Sequence, residues 1–419
     1  MSPAERTYTP LGDALRVLSQ AARPSPRGEL VPTRAAHGRV LARDVAARYD
    51  LPREDVSHFD GFAVASADTA GASEGSRVRL RLRGGGPGVG APKRGRLARG
   101  EAARVLTGGA LPPGADAVVP LEDAVEATGW LLVSSPVEPG ARVYRAGADV
   151  RRGDAVLGAG RVVSGQDLAL LASLRIGRVL AYRRPVVAIL PTGSELTPDI
   201  GDRRRGRVVE SHSVMLERLV EGAGGEPTTL PIVPDDETRL ARSVAAALRG
   251  SDIVLTLAGT SVGGRDLVEA ALRGLPSTTA LVHGVRVHRG RVMGFAVVGG
   301  KPVVMLPGPV QGALNAFILL GYPLIRAHLG RGLEQPPAVP AVLSEGWRPD
   351  GRFKDFEQVV YLRLSEGLMA EPAAAQTEKL SFLASRNAYA VLPGGDGLPQ
   401  GSVVQARLLP GFSRLDQPR

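Results

Sequence analysis

Residues 186–195 read VVAILPTGSE, residues 252–266 read DIVLTLAGTSVGGRD, and residues 302–313 read PVVMLPGPVQGA. Each is a short apolar run that passes straight into a loop of small residues, as buried strands of an α/β sheet do. Helical periodicity lies between the runs, first over Met215 to Val220. It returns in PDDETRLARSVAAALRG at 234–250, where Asp235 or Asp236 is placed to cap a helix, Leu240, Val244 and Leu248 form its apolar stripe, and Gly250 can close it. With TTLPIV at 228–233 as a further strand, the alternation from Pro185 to Leu320 predicts an α/β sheet of the nucleotide-binding type.

Working outward, the pattern changes. From about Val45 to Pro139 short apolar runs are divided by Gly and Pro, as in VRLRLRGGGPG, GADAVVPLEDA and GWLLVSSPV, which predicts a mostly β domain. Thr9 and Pro10 read as the N-cap and first position of a helix carrying Leu11, Leu15 and Leu18 on one face. A second helix is expected between residues 161 and 180, through Leu168, Leu171 and Leu174, ended by Gly177. LEQPPAVPAV at 333–342 reads as a linker, and VVYLRL and SVVQARL beyond it predict a small C-terminal β domain.

With 419 residues, 43% of them hydrophobic and 22% charged, the chain is long and apolar enough for several packed domains. Pro302 to Ile325 carries no charge, but its repeated Pro and Gly favour strand, loop and buried helix over a membrane span. The first twenty residues lack the layout of a secretory signal, so a cytoplasmic protein is expected. The absence of cysteine excludes disulfides, thiolate metal sites and thiol nucleophiles. The six histidines show no close metal-ligand spacing, which argues against a zinc enzyme.

The formal charge of +10 raises the question of nucleic acid. Much of the excess lies in Arg77, Arg79, Arg81 and Arg83, then Lys93, Arg94, Arg96 and Arg99, with no aromatic residues interleaved for base stacking. The first four alternate with Val78, Leu80 and Leu82, which reads as a strand with one solvated face. The glycine run from Gly84 to Gly90 lacks a Gly-Lys-Ser/Thr ending and reads as a hairpin loop. No nucleic-acid or membrane partner is expected.

Ligands of open α/β sheets bind beyond the carboxyl ends of the strands. Here those ends carry Thr192, Gly193, Ser194 and Glu195, then Gly259, Thr260, Ser261 and Gly263, then Pro307 and Gly308. Small residues allow close backbone approach, and N–H groups and hydroxyls suit phosphate oxygens, so a phosphate-bearing substrate is expected. Glu195 and Asp266 sit just beyond two of these loops, where carboxylates repel a phosphate unless they hold a cation or exchange protons. That conflict points to Mg2+, with Glu195 and Asp266 as its ligands. Taken singly, each also fits a plain surface role in a helix's first turn.

The chain also resembles a known family. TGSEL at 192–196, AGTSVGGRD at 258–266 and LPGPVQGA at 306–313 are similar, in order, to motifs of the molybdopterin molybdenumtransferases, the relatives of MoeA and the gephyrin E domain. FDGFAV at 59–64, VLTGGALPPGADAVVPLED at 105–123 and RAGADVRRGD at 145–154 extend the likeness over nearly the whole chain. The resemblance implies transfer of molybdenum from molybdate to adenylylated molybdopterin with release of AMP and help from Mg2+. It also implies a homodimer with each active site shared between subunits, the sheet domain of one facing the β domain of the other. An apo-molybdoenzyme or another molybdenum cofactor protein is then an expected partner.

The domains expected on this basis are an elongated helical and β N-terminal domain (1–44 with 140–180), an inserted mostly β domain (45–139), an α/β molybdopterin-binding domain (181–330) and a C-terminal β domain (338–419). Asp60, Asp149, Glu195, Asp235 and Asp266 fall where the family places functional carboxylates, and Thr107 and Gly108 match its Thr-Gly position. Ser211, His212, Arg352 and Ser381 match positions near the substrate. Departures cluster at the same places. His288 and Arg291 replace two lysines of Lys-Pro-Gly-Lys-Pro, Pro309 and His212 replace asparagines, Ala258 and Thr260 alter the Gly-Gly-Val-Ser loop, and Val56, His58, Phe59 and Pro120 change familiar stretches. Two alternatives stay open: a catalytically lapsed relative that binds pterin as a scaffold or regulator, and a nucleotide-phosphate hydrolase.

Overall fold

The computed structural model describes residues 8–84, 95–259, 266–373 and 379–410. Helix α1 spans Leu11–Ala21 and buries Leu11, Ala14 and Leu18. Pro10, not Thr9, is its N-cap, with ψ at 143°. Thr9 is drawn into an extended bridge with Val285, donating its N–H to the Gly284 carbonyl at 2.9 Å, so the chain leaves strand geometry only after Pro10.

The chain divides into two compact units, residues 30–181 and residues 1–29 with 182–419. In the first, strands β1 (Gly61–Val64), β2 (Val78–Leu82), β3 (Glu101–Val105), β4 (Ala117–Pro120), β5 (Ala124–Ala127) and β6 (Trp130–Val133) form one sheet in the order β4-β1-β3-β2-β6-β5. Phe62, Val64, Leu80, Ala102, Val119 and Leu131 are its core. Arg79 and Arg81 of β2 are exposed on either side of buried Leu80, as the alternation required. Gly85 to Gly90 of the glycine run lie outside the described residues. Helix α2 (Gly165–Ser173) begins with a capping box between Ser164 and Asp167. It ends earlier than expected, because Arg175, at φ 54°, takes the left-handed position ahead of Gly177.

The second unit holds the α/β sheet. Its strands are β7 (Val186–Pro191), β8 (Glu226–Thr229), β9 (Ile253–Leu257), β10 (Thr278–His283), β11 (Gly294–Val298) and β12 (Lys301–Leu306), in the order β8-β7-β9-β12-β11-β10. The first four are parallel, and β11 runs antiparallel between β12 and β10. Strand β8 stops at Thr229, short of the expected TTLPIV, because Pro231 has no N–H for the ladder, and Pro227 within it suits an edge position.

Helices α3 (His212–Ala223), α4 (Glu237–Gly250) and α5 (Leu267–Arg273) alternate with the strands. Leu240, Val244 and Leu248 of α4 pack on Ala188, Leu190 and Val254 as the apolar stripe predicted. Helices α6 (Val310–Ala316) and α7 (Tyr322–His328) flank a π turn over Phe317–Gly321, and nearly every residue of the three is buried. Among the described residues no helix is long and apolar enough to cross a membrane. Strands β13 (Ala338–Leu343), β14 (Gln358–Leu364), β15 (Met369–Pro372), β16 (Ala388–Leu392) and β17 (Val403–Leu408) then close into a barrel, ordered β13-β15-β14-β16-β17.

Candidate functional site

The loops after β7, β9 and β12 lie side by side. Thr192 donates its N–H to the Leu257 carbonyl at 2.9 Å, and Ala258 donates to the Leu306 carbonyl at 3.0 Å, extending the sheet ladder into the loops. A Cβ on Gly259 would stand 3.1 Å from Thr192 Cγ2 and 2.8 Å from Val268 Cγ2, and one on Gly308 3.5 Å from Ala258 Cβ. A side chain at Gly259, which is also at φ 72°, would collide, whereas one at Gly308 would make ordinary contact. The Thr192 hydroxyl is fully buried and makes no hydrogen bond among the described residues, so a donor stands unused at the convergence. Thr260, Ser261 and Gly263 lie outside the described residues.

Gly193 is at φ 153°, and a Cβ there would stand 2.8 Å from each carboxylate oxygen of Glu195. Ser194 and Asp235 bond reciprocally: the Ser194 N–H donates to Asp235 Oδ2 at 2.9 Å and the Asp235 N–H to Ser194 Oγ at 3.1 Å. Asp236 is therefore left to cap α4, accepting from the Arg239 N–H at 2.7 Å. Arg207, which sequence reading passed over, donates to the carbonyls of Ser194 and Leu196 at 2.7 Å each, one on either side of Glu195. The Glu195 carboxylate is exposed and makes no hydrogen bond or ion pair among the described residues.

A cavity of about 580 Å³ opens beside this loop, lined by Gly193, Ser194, Arg207, Glu210, Ser213 and Pro231 among others. Glu210 accepts from the N–H groups of His212 and Ser213 at 3.0 Å each. Ser211 holds the N-cap position of α3 without a side-chain cap bond, so Glu210 is the acid that satisfies this helix end. Burial lowers the His212 imidazole below its ordinary range, against the pull of Glu210.

Asp266 caps α5, its Oδ1 accepting from the Glu269 N–H at 2.9 Å. Its Oδ2 lies 2.9 Å from His283 Nε2, within ion-pair distance yet out of hydrogen-bond alignment, and His283 Nδ1 lies 2.8 Å from Glu269 Oε2. Asp266, Glu269 and His283 thus offer three ligand atoms within 4.8 Å of one another. The Asp-x-x-Glu spacing is visible in the sequence, but His283 arrives from β10, seventeen residues beyond Asp266. Among the described residues no hydrogen bond or ion pair joins Glu195 to Asp266.

His288, Arg291 and Arg352 gather on one ring. Phe353 stacks on His288 at 4.8 Å, with Arg291 4.5 Å and Arg352 5.8 Å from its centre. Burial, then the neighbouring Arg289 charge, lowers the His288 imidazole, whose Nδ1 is 2.9 Å from Gln358 Oε1. Arg352 pairs with Asp350, whose carboxyl is lowered to about 2 by hydrogen bonds from the Arg352 side chain and backbone. Fully buried Asn315 donates to the carbonyls of His288 and Arg289 and accepts from Tyr361 Oη at 2.6 Å, tying this loop to the barrel. A cavity of about 170 Å³ joins Arg291 to Pro307, Pro309 and Gln311. Ser381 stands exposed on the short helix Leu380–Leu383.

In the other unit, Asp60 Oδ1 accepts from both the N–H and the hydroxyl of Thr107, at 2.6 and 2.8 Å. These bonds, the backbone one first, lower the Asp60 carboxyl. Gly108 follows at φ 75°, donating its N–H to the Ser57 carbonyl. Asp149 is exposed, and its carboxylate has no hydrogen bond among the described residues.

Comparison with known proteins gives the following. Residues 9–174 match the family described as MoeA N-terminal region (domain I and II), and residues 188–327 match the probable molybdopterin binding domain. A Methanocaldococcus jannaschii protein named for molybdopterin biosynthesis is 31% identical over 385 residues, 89% of this chain and 90% of its own. The molybdopterin molybdenumtransferase of Staphylococcus aureus is 30% identical over 369 residues, 87% of each chain. The crystal structure of a Pyrococcus horikoshii MoeA protein superposes with a TM-score of 0.82 at 30% identity, covering 97% of this chain and 100% of the other.

Proposed function

Because the chain belongs to the MoeA family of molybdopterin molybdenumtransferases, we propose that it acts in molybdenum cofactor biosynthesis, transferring molybdenum from molybdate to adenylylated molybdopterin with loss of AMP. The observation that carries this reading is the side-by-side placement of Thr192, Gly259 and Gly308 beyond three adjacent strands, beside a buried Thr192 hydroxyl that makes no hydrogen bond among the described residues. Such a place suits the phosphate oxygens of a pterin nucleotide, which accept from hydroxyl and backbone N–H groups. In this reading Ser194 and Asp235 fix the loop, and Arg207 holds the peptide groups around Glu195 so that its carboxylate points to solvent.

The residues fit magnesium by donor type. Among the described residues Glu195 offers an exposed carboxylate without a hydrogen bond or ion pair and Asp266 an Oδ2 without a hydrogen bond, both hard oxygen ligands. These carboxylates would hold the magnesium, which would supply positive charge beside the phosphates. Molybdate, a dianion, needs cations that hold it without reducing it. Arg291 supplies a permanent charge, whereas His288 is largely neutral at neutral pH because burial lowers it. Asp60 and Asp149 complete the acid set from the other unit, and we place them opposite the partner's sheet domain in a homodimer.

Purified protein incubated with adenylylated molybdopterin, magnesium and molybdate is expected both to release AMP and to reconstitute an apo-molybdoenzyme. AMP without reconstitution removes the metal-insertion half and leaves a phosphoanhydride hydrolase. Neither signal, with pterin still bound, establishes the scaffold reading, which the replaced lysines and asparagines favour.

A further inference from the structure

At the opposite end of the α/β sheet, beneath the amino ends of β9 and β12, lies a second cavity of about 640 Å³ that the proposed reaction does not use. Its lining includes Arg23, Arg27, Asp252, Thr279, Lys301 and His328. Three cations face one carboxylate. The side chains of Arg23 and Arg27 make no ion pair or hydrogen bond among the described residues, and both are exposed. Asp252 is already engaged: its Oδ2 accepts from Arg183 at 2.7 Å and from the Val186 N–H at 2.8 Å. Lys301 donates to the Leu248 and Ser251 carbonyls at 2.6 and 2.8 Å, so its ammonium is already engaged.

The decisive group is His328. It is 7% exposed, it borders the cavity, and its buried Nε2 makes no hydrogen bond among the described residues. A buried imidazole nitrogen left unpaired is costly, and a small turn of the ring toward the cavity would let a ligand oxygen accept from it. Guanidinium forks, a seryl hydroxyl at Ser25 and an imidazole N–H together suit tetrahedral oxyanions, and the volume lies in the range of sites for whole small molecules. We propose that this cavity binds a phosphate-bearing small anion through Arg23, Arg27 and His328, at a site separate from the loops after β7, β9 and β12.

The test follows the imidazole resonances of the 15N-histidine-labelled full-length protein, with His328 assigned by its loss in His328→Gln. Inorganic phosphate and AMP are titrated separately. The expected result is a saturable shift of the His328 signal. In the Arg23→Gln/Arg27→Gln variant, which alters only exposed side chains, the affinity should be weaker by about tenfold or more, with the transferase reaction unchanged. A shift with phosphate alone assigns the site to the free ion, and tighter binding of AMP assigns it to a phosphate ester. A His328 signal that neither ligand moves at millimolar concentration overturns the proposal, as does a shift of equal affinity in the double arginine variant.

Discussion

His288 and Arg291, which the family resemblance sets at lysine positions, are separated in their electrostatic roles by the structure. Both lie on Phe353, yet burial and Arg289 keep His288 from charging until the pH falls below the ordinary histidine range, while Arg291 is always charged. At pH 7.5 Arg291→Gln is therefore expected to raise the molybdate KM about tenfold or more, and His288→Gln by less than about threefold, since a charge-assisted hydrogen bond contributes on the order of 1.5–3 kcal/mol. Initial-rate kinetics over molybdate concentration check this, and equal effects of the two changes would count against it. Glu195 and Asp266 stood out in the sequence because carboxylates beside small-residue loops conflict with an anionic ligand, whereas Asp235 was singled out by the family resemblance and as one of two candidate helix caps. Arg207, Glu210 and His283 were not, because their meaning rests on partners that only the folded loops bring near: two carbonyls, a helix end and two acids.

Elements were legible where period and punctuation agreed. The stripe of α4 follows from spacing alone, as do the buried strands β7, β9 and β12, while the choice of Asp236 over Asp235 as its cap needed the fold. Ends shifted where tertiary bonds took over: Thr9 joined a bridge instead of a cap, Arg175 replaced Gly177 as the left-handed stop, and β8 shortened at Pro231. Helix α3 shows the same competition at its start, where Glu210 rather than the N-cap Ser211 meets the free N–H groups. Glu210→Ala should thus destabilise the protein by about 1 kcal/mol, the usual worth of a helix cap, and Ser211→Ala by a few tenths at most. Urea unfolding of both variants distinguishes them, and the reverse order would return the cap to Ser211.

The proposed acids are divided between the two compact units, Asp60 and Asp149 in one and Glu195, Asp235 and Asp266 in the other. If a homodimer completes each site with acids from both subunits, the protein should sediment at about twice its 43.8 kDa chain mass. Mixing refolded Asp60→Asn and Asp266→Asn chains, each inactive alone, should restore about a quarter of wild-type activity, because half the dimers are mixed and each then keeps one of two sites intact. Absence of recovery in a verified mixed dimer would place every site within a single chain. The barrel carries a different consequence. Its first strand pairs residues 338–342 with residues 403–407 of its last, so no nascent chain can complete it until β17 has been made. Until then β13 waits with an unsatisfied edge, and a ribosome stalled before Val403 exposes a ready template for strand addition by a neighbouring chain.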